Sequence, residues 1–460
     1  MPNIVFPHNL AVGVSPSTAI ITLEVTFDNT PASSTVTTAK VKHNKKGVFM
    51  YHKDDATIDD YSVFMPLFKT LYGTDGAGKR RNYRATIALN AGGHDVIHSQ
   101  ILNYDQIKEI YDEQHSISNH GYNHGGTDIY REVKEAEIRI WDQMKTRGRQ
   151  VRTRCTVTPT NDEGYIESPF SMGYKCFAGS FGFPYTSRDG NLESDIKYAT
   201  TSINDLNKNK MILARDYVGN DFIDLAQSKL WFDAVANNTT MATPLAASII
   251  SHNISTVDAI ARYNDFWSYV MNHPNNNDTI LMESQQDFME YYETIDNTII
   301  TSNLVGNKLT VTLNQSAISG NNYRRDMSLL ITGGSIKHIQ VTNVDGSTVN
   351  RTTGLINLYK TNKNINDPNL DPVPPRITSF VRDGLTLTVN FSKEVTGSTG
   401  FEIIGNTISS VTGTGAVRVI TCTTLVLTGD IFYYRIQNGN IVDVNNATLK
   451  LCTYTKHPII

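Results

Sequence analysis

The sequence predicts a multidomain chain of mixed class, an α/β barrel followed by two all-β sandwich modules. Three observations carry this. Between residues 46 and 297, short apolar strand-like runs alternate with stretches of helical periodicity. From residue 298 the helical period stops, and alternating runs such as Leu304–Leu313 appear between Asn/Gly turns. The proline-rich stretch 366–375 then sets off a last group of short strands. The organisation expected is an N-terminal β arm (1–45), a barrel (46–297), a small β-sandwich (298–365), an extended, semi-rigid linker (366–375) and an immunoglobulin-like sandwich (376–460).

Composition narrows the function classes. The 460 residues carry a formal net charge of -4, and only 19% are charged. No long basic run argues for nucleic acid, and Lys79-Arg-Arg81 reads as a solvated loop. No apolar run reaches the roughly 18 residues of a membrane span. The N-terminal residues lack a basic region followed by an apolar core, so no standard signal peptide is expected. The cysteines (Cys155, Cys176, Cys422 and Cys452) form no Cys-x-x-Cys pair, which argues against a cysteine zinc site. Cys422 and Cys452 share the last module and are candidates to pair.

In chain order, Ala19–Phe27 alternates as a strand within the arm. Gly47–Tyr51 is the first barrel strand, and Ile58–Tyr72 is expected to be mostly helical. Gly73-Thr-Asp-Gly-Ala-Gly-Lys-Arg80 has the outline of a phosphate-binding loop. Arg80 stands where Ser or Thr would hold magnesium, and a strand follows, so a glycine-rich surface turn is the better reading. Asn103 with Gln106 three residues on predicts a capped helix carrying Ile107, Ile110 and Tyr111, followed by the strand His115–Ser118. Thr127 or Asp128 caps a long helix with Val133, Ala136, Ile140 and Met144 as its buried stripe and Gly148 as its stop. Strands are expected at 150–157, at Met211–Tyr217 and at 246–252, a helix at Val257–Met271, and a closing strand and helix within 279–293.

Two clusters suggest chemistry. His120-Gly-Tyr-Asn-His124 places two imidazoles four residues apart, a half-site for a divalent metal, just past a helix–strand unit. In α/β barrels the C-terminal ends of strands carry the catalytic groups. Upstream, the apolar strand from Gly47 runs into Asp54 and Asp55. Adjacent carboxylates repel and are best tolerated when a cation or a proton separates their roles.

This order of motifs resembles the metal-dependent polysaccharide deacetylases, the NodB-type, chitin deacetylase-like carbohydrate esterases. The likeness covers roughly residues 45 to 295: a strand ending in Asp-Asp, the strand Arg84–Asn90, a helix and strand leading to His-x-x-x-His, and an apolar strand delivering His252. The family usually carries Thr-Phe-Asp-Asp-Gly where this chain has His52-Lys-Asp-Asp-Ala56, and a hydroxyl residue where this chain has Gly121. In the family's Arg-x-Pro-Tyr motif the arginine orients the catalytic aspartate. Here Pro159 matches the proline but Val157 takes the arginine's place, leaving Arg154 or Arg215 as candidates to replace it. Asp216 is a candidate to pair with the catalytic histidine.

The resemblance implies a distorted (β/α) TIM-like barrel and hydrolysis of N- or O-acetyl groups on a polysaccharide. Asp55, His120 and His124 would hold one divalent metal, with Zn2+ the expected ion, Asp54 would be the general base, and His252 the general acid. The rival is a glycan-binding or structural protein of a virion tail or cell surface that keeps the barrel without the activity. The altered first motif and the missing arginine favour it, and the β arm and last module would meet virion or cell-surface partners. Either reading places the protein outside the cell or on a virion. A glycoside hydrolase would use two carboxylates about 5–10 Å apart; adjacent aspartates with histidines suit metal chemistry better.

Overall fold

The computed structural model describes residues 19–94, 100–126, 128–149, 151–157, 159, 169, 172, 174–180, 200–205, 211–238, 240–318, 322–362, 375, 377–427, 430–434, 440–443 and 457–458. The chain forms two compact units, Met1–Asn366 and Asp367–Ile460.

In the first unit, β1 (Ile20–Phe27) alternates, with Ile21, Leu23, Val25 and Phe27 fully buried, and β2 (Val36–Thr38) follows. β3 (Gly47–Asp54) is buried along its whole length. The helix expected at Ile58–Tyr72 is shorter: a wide turn at Asp60–Phe64 runs into Met65–Phe68, where Pro66 sits at the helix start. Tyr72–Thr74 and Arg80–Asn82 then pair antiparallel, and the glycine-rich stretch is their connecting turn. Asp75 closes that turn by accepting from the Ala77 and Lys79 amides at 3.0 and 2.9 Å.

Next come β4 (Thr86–Leu89), helix α1 (Tyr104–Asp112), β5 (Ser116–Asn119) and helix α2 (Ile129–Thr146). Asn103 and Gln106 form the reciprocal capping box of α1. Asp128 caps α2 on Arg131, the stripe Val133, Ala136, Ile140 and Met144 is buried, and Gly148 ends the segment at φ +74°. β6 is only Cys155–Val157 of the expected 150–157. β7 (Cys176–Ser180), β8 (Met211–Tyr217), helix α3 (Leu225–Ala236), β9 (Leu245–Ser251), helix α4 (Val257–Asn272), β10 (Ile280–Met282) and helix α5 (Gln285–Asp296) follow, with a short strand at Thr200–Ser202 antiparallel to β9.

Parallel pairing runs from β3 through β4, β5, β6, β7, β8 and β9, and β9 pairs back onto β3 along Leu245–Ser251. The strands therefore curl round on themselves, short of the regular eight-stranded TIM barrel. The reason lies in β3, since a strand has two edges. β9 takes one along its length, while β4 and β10 share the other, β10 at Gly47–Phe49 and β4 at His52–Asp54. Val48, Met50, Ala88, Val157, Ala178, Leu213 and Ala246 fill the inside of the curl. Phe49, Tyr51, Ile87, Trp231, Phe232, Phe266 and Trp267 pack between strands and helices. Both faces of β3 are buried, and its first half, Gly47–Tyr51, reads as a continuous apolar run.

A β-sandwich follows: β11 (Ile299–Val305), β12 (Lys308–Asn314), β13 (Met327–Ile331), β14 (Ile336–Thr342), β15 (Gly346–Asn350) and β16 (Leu355–Tyr359). Its sheets are ordered β11-β12-β1-β14 and β15-β16-β13-β2. The N-terminal segment thus supplies one strand to each sheet, and β1 is internal, flanked by β12 and β14. The alternation of β1 predicts a strand but not its partners, which lie about 280 to 320 residues away.

In the second unit, Ile377–Asp383, Thr386–Phe391, Val417–Cys422 and Ile408–Thr412 form a four-stranded antiparallel sheet over Leu387, Val389, Phe391, Ile420 and Phe432. Most of the linker, and Cys452 with its suggested pairing, lie outside the described residues; Cys422 is a buried free thiol.

Candidate metal centre

The residues singled out from sequence meet at the C-terminal ends of the parallel strands. Asp54 is the last residue of β3, Asn90 follows β4, His120 follows β5, Arg215–Tyr217 end β8, and His252 follows β9.

Asp55 leaves the strand at φ +69° and Ala56 continues at φ +47°. Two successive non-glycine residues in the left-handed region are costly and cluster at functional sites. This turn separates the neighbouring carboxylates. Asp54 is buried, and Asp55 stays partly open.

His120 and His124 lie in a loop rather than on a helix. Gly121 sits at φ +88° and His124 at φ +63°, which brings the ring centroids to 4.9 Å. The left-handed Gly121 explains why no hydroxyl residue stands there; a Cβ would also lie 3.3 Å from Glu132 Oε2. Glu132, in the first turn of α2, holds the loop. It accepts from the Tyr122 and Asn123 amides at 2.9 and 2.7 Å and from the Asn123 side chain at 2.9 Å.

Asp55, His120 and His124 each offer one ligand atom, all within 4.8 Å of one another. His124 Nε2 is 3.4 Å from Asp55 Oδ1, and His120 Nε2 is 3.6 Å from it. These are too long for good hydrogen bonds. Two atoms bound tetrahedrally to one ion at ordinary zinc distances stand about 3.4 Å apart. His120 Nδ1 donates to the Val157 carbonyl at 3.0 Å, which leaves the Nε2 lone pair facing the carboxylates. That Nε2 is buried and has no hydrogen-bond partner within the protein. Burial lowers the His120 pKa, outweighing the pull of Asp54 and Asp55, and so favours the neutral imidazole a ligand must be. The residues therefore fit a divalent metal. Asn90 donates to Asp55 Oδ1 at 2.7 Å and fixes that carboxylate.

Asp54 is gripped by Arg215, with Nη1 and Nη2 donating to its two oxygens at 2.7 and 2.8 Å. Both side chains are buried. Burial alone would raise the Asp54 pKa, but Arg215 and then His120 hold it well below the usual carboxylate range. Of the two candidate arginines, Arg215 is the one that contacts Asp54, while Arg154 pairs with Glu293 at 2.7 Å. Strand alternation decides the roles along β8. Arg215 points inside the curl to Asp54, and Asp216 points to the helix layer, where its Oδ2 accepts from Gln227 and Trp231. Asp216 therefore faces α3.

His252 stands opposite, its Nε2 3.7 Å from Asp55 Oδ2, and its ring packs edge-on against the half-exposed Tyr217 at 5.0 Å. Sequence reading missed Asn90, Glu132 and Tyr217. The position of Asn90 directly after a barrel strand was the one available signal.

No protein-family model matches the chain, and no curated protein sequence matches it. Several solved structures overlap it in part. The Streptococcus pyogenes deacetylase PplD, in complex with acetate, is 20% identical over 28% of this chain and 54% of its own, with a TM-score of 0.23. The chain thus spans about half the length of that protein. A probable polysaccharide deacetylase from Pseudomonas aeruginosa PAO1 is 12% identical over 55% of this chain and 93% of its own, at a TM-score of 0.35. A gamma-CGTase from alkalophilic Bacillus clarkii is 8% identical over 79% and 74%, at a TM-score of 0.20. Overlaps this loose carry no argument about activity, which has to come from the site.

Proposed function

We propose that this protein is a metal-dependent hydrolase that removes acetyl groups, N- or O-linked, from a polysaccharide. The observation that carries the reading is the Arg215–Asp54 fork beside the Asp55, His120 and His124 cluster, with His252 across from it. One carboxylate is locked as an anion and kept from the ligand set; its neighbour faces the two imidazoles.

A divalent ion held by Asp55, His120 and His124, Zn2+ being the expected one, would supply Lewis acidity that makes water a nucleophile near neutral pH and polarises the acetyl carbonyl. Asp54 takes the proton of the attacking water. Arg215 keeps that carboxylate ionised and fixes its direction through both oxygens. The hydroxyl joins the acetyl carbon and the bond to the sugar nitrogen or oxygen breaks. His252 donates the proton that the leaving amine or alkoxide needs, and acetate is the second product. Tyr217, edge-on to His252 and partly exposed, offers a ring face on which a sugar can rest.

The rival reading as an inactive glycan-binding protein leaned on the altered first motif and on the missing family arginine. Arg215 supplies that contact from a different strand, which favours the enzyme. A glycan substrate fits a protein placed outside the cell or on a virion. The test is acetate release from a panel of acetylated glycans, together with metal analysis of wild type and His120→Ala. We expect one ion per chain and release in the wild type only. Equal metal content in both proteins would remove the site, and metal binding without release would favour the binding protein.

A further inference from the structure

Beneath the site lies a charged cluster that the proposed chemistry does not use. Lys53, between the inward His52 and Asp54, points to the outer layer and is fully buried. Its Nζ is 2.8 Å from Asp59 Oδ2 and 3.1 Å from Asp60 Oδ1. Burial pushes the Asp60 carboxyl up, more than Lys53 offsets, and Asp59 is the nearer partner of the ammonium.

A buried ion pair seldom stabilises a fold more than apolar residues of the same shape would. What this one does is take hold of backbone. Lys53 Nζ also donates to the His252 carbonyl oxygen. Asp59 Oδ2 accepts from the Ile254 amide at 2.7 Å, and its other oxygen accepts from the Thr57 hydroxyl. The pair therefore spans the turn that carries His252 and ties it to the loop that begins at Asp55. Without it, the His252 carbonyl and the Ile254 amide would be left needing partners in a largely buried place.

We propose that Lys53 and Asp59 are positioning residues for His252, setting the proton donor at its distance from the Asp55 cluster. The inference rests on the proposed function for what His252 does, and on the hydrogen bonds alone for what holds it. It also accounts for lysine in the motif His52-Lys-Asp-Asp-Ala56: an apolar residue there would pack but could not reach the His252 carbonyl.

The test uses full-length Lys53→Met, Lys53→Arg and Asp59→Asn, with two kinds of readout. The first is hydrogen exchange at the Ile254 amide and the NMR line shape of the His252 ring, neither of which needs activity. In Asp59→Asn we expect faster exchange at Ile254 and a broadened ring signal. Unchanged exchange and line shape would overturn the inference whether or not the protein is a deacetylase. The second is acetate release. In Lys53→Met we expect kcat to fall roughly 10- to 100-fold, the loss that follows misplacement of a catalytic group by about 1 Å. KM and zinc affinity should hold, and Lys53→Arg should recover part of the loss. If Lys53→Met does not fold, Asp59→Asn carries both readouts. A joint fall of kcat, zinc affinity and folding stability would mark a merely structural pair and overturn the inference, as would unchanged kcat with Ile254 deprotected. If the wild type releases no acetate, the deacetylase reading fails by itself, and exchange at Ile254 still decides whether the clamp exists.

Discussion

Asp54 and Asp55 are neighbours in sequence and opposites in environment. One is buried in a two-point ion pair, and the other is turned through a left-handed conformation toward two histidines. Their substitutions should therefore separate. Asp54→Asn should leave zinc affinity nearly intact and cut acetate release by ~10² or more, the size of a lost general base. Asp55→Asn should weaken zinc in a direct titration, and the reverse pattern would exchange their roles. Arg215→Met should cost about 3–5 kcal/mol of stability in denaturant unfolding, because it strands a buried carboxylate. A histidine far from the centre shows a pH effect. His115 lies against Phe64 and Phe68 and accepts the Ala85 amide on Nδ1 at 3.1 Å. Burial, helped by Arg84, lowers its pKa from 6.5 to about 3. The unfolded chain therefore takes up the proton first. The stability tied to the neutral ring is present above pH 6.5 and falls as pH drops toward 3, by about 1.4 kcal/mol per pH unit. His115→Gln should flatten the pH dependence of unfolding by one proton in that window.

At the scale of elements, each functional group hangs on a strand end whose direction is set by packing and on a turn set by backbone geometry. The His120–His124 loop depends on Gly121 in the left-handed region and on Glu132 reaching back from the first turn of α2. Gly121→Ala forces a Cβ into a strained conformation beside Glu132 and should destabilise the fold by about 1 kcal/mol or more. Glu132→Gln replaces a charged acceptor of two amides by a neutral one. We expect it to lower zinc affinity about 10- to 100-fold, as loss of outer-layer support at metal sites does. Isothermal titration of folded Glu132→Gln checks this, and wild-type affinity would show that the loop holds its shape without the carboxylate.

At the scale of the whole molecule, the N-terminal strands and the last unit should behave differently when removed. Deleting residues 1–38 takes one strand from each sheet of the sandwich, including the internal β1 with its four buried side chains. The remaining β12 and β14 would expose unpaired edges, so that chain should aggregate or lose the cooperative unfolding of the first unit. A chain ending at residue 366 keeps every strand and helix of the first unit and should bind zinc and release acetate like the full protein. Loss of zinc binding by this shorter chain in a soluble, folded state would show that the last unit shapes the site.

The sequence by itself determined the local features. Capped helices at Asn103 and Asp128, the switch to β structure near residue 298, the acidic pair at the end of β3 and the histidines after β5 and β9 were legible, because each depends on residues a few positions apart. The distorted barrel implied by the resemblance is present as a curled parallel sheet, but how it curls was not legible, since edge sharing on β3 is settled by strands more than 30 and more than 200 residues away. The place of β1 in the sandwich was likewise hidden, for its alternating pattern buries one face without saying against what. Tertiary structure alone decided between Arg154 and Arg215. Both are buried arginines near strands, and only the curl of the sheet brings one guanidinium, 161 residues away in sequence, onto the two oxygens of Asp54.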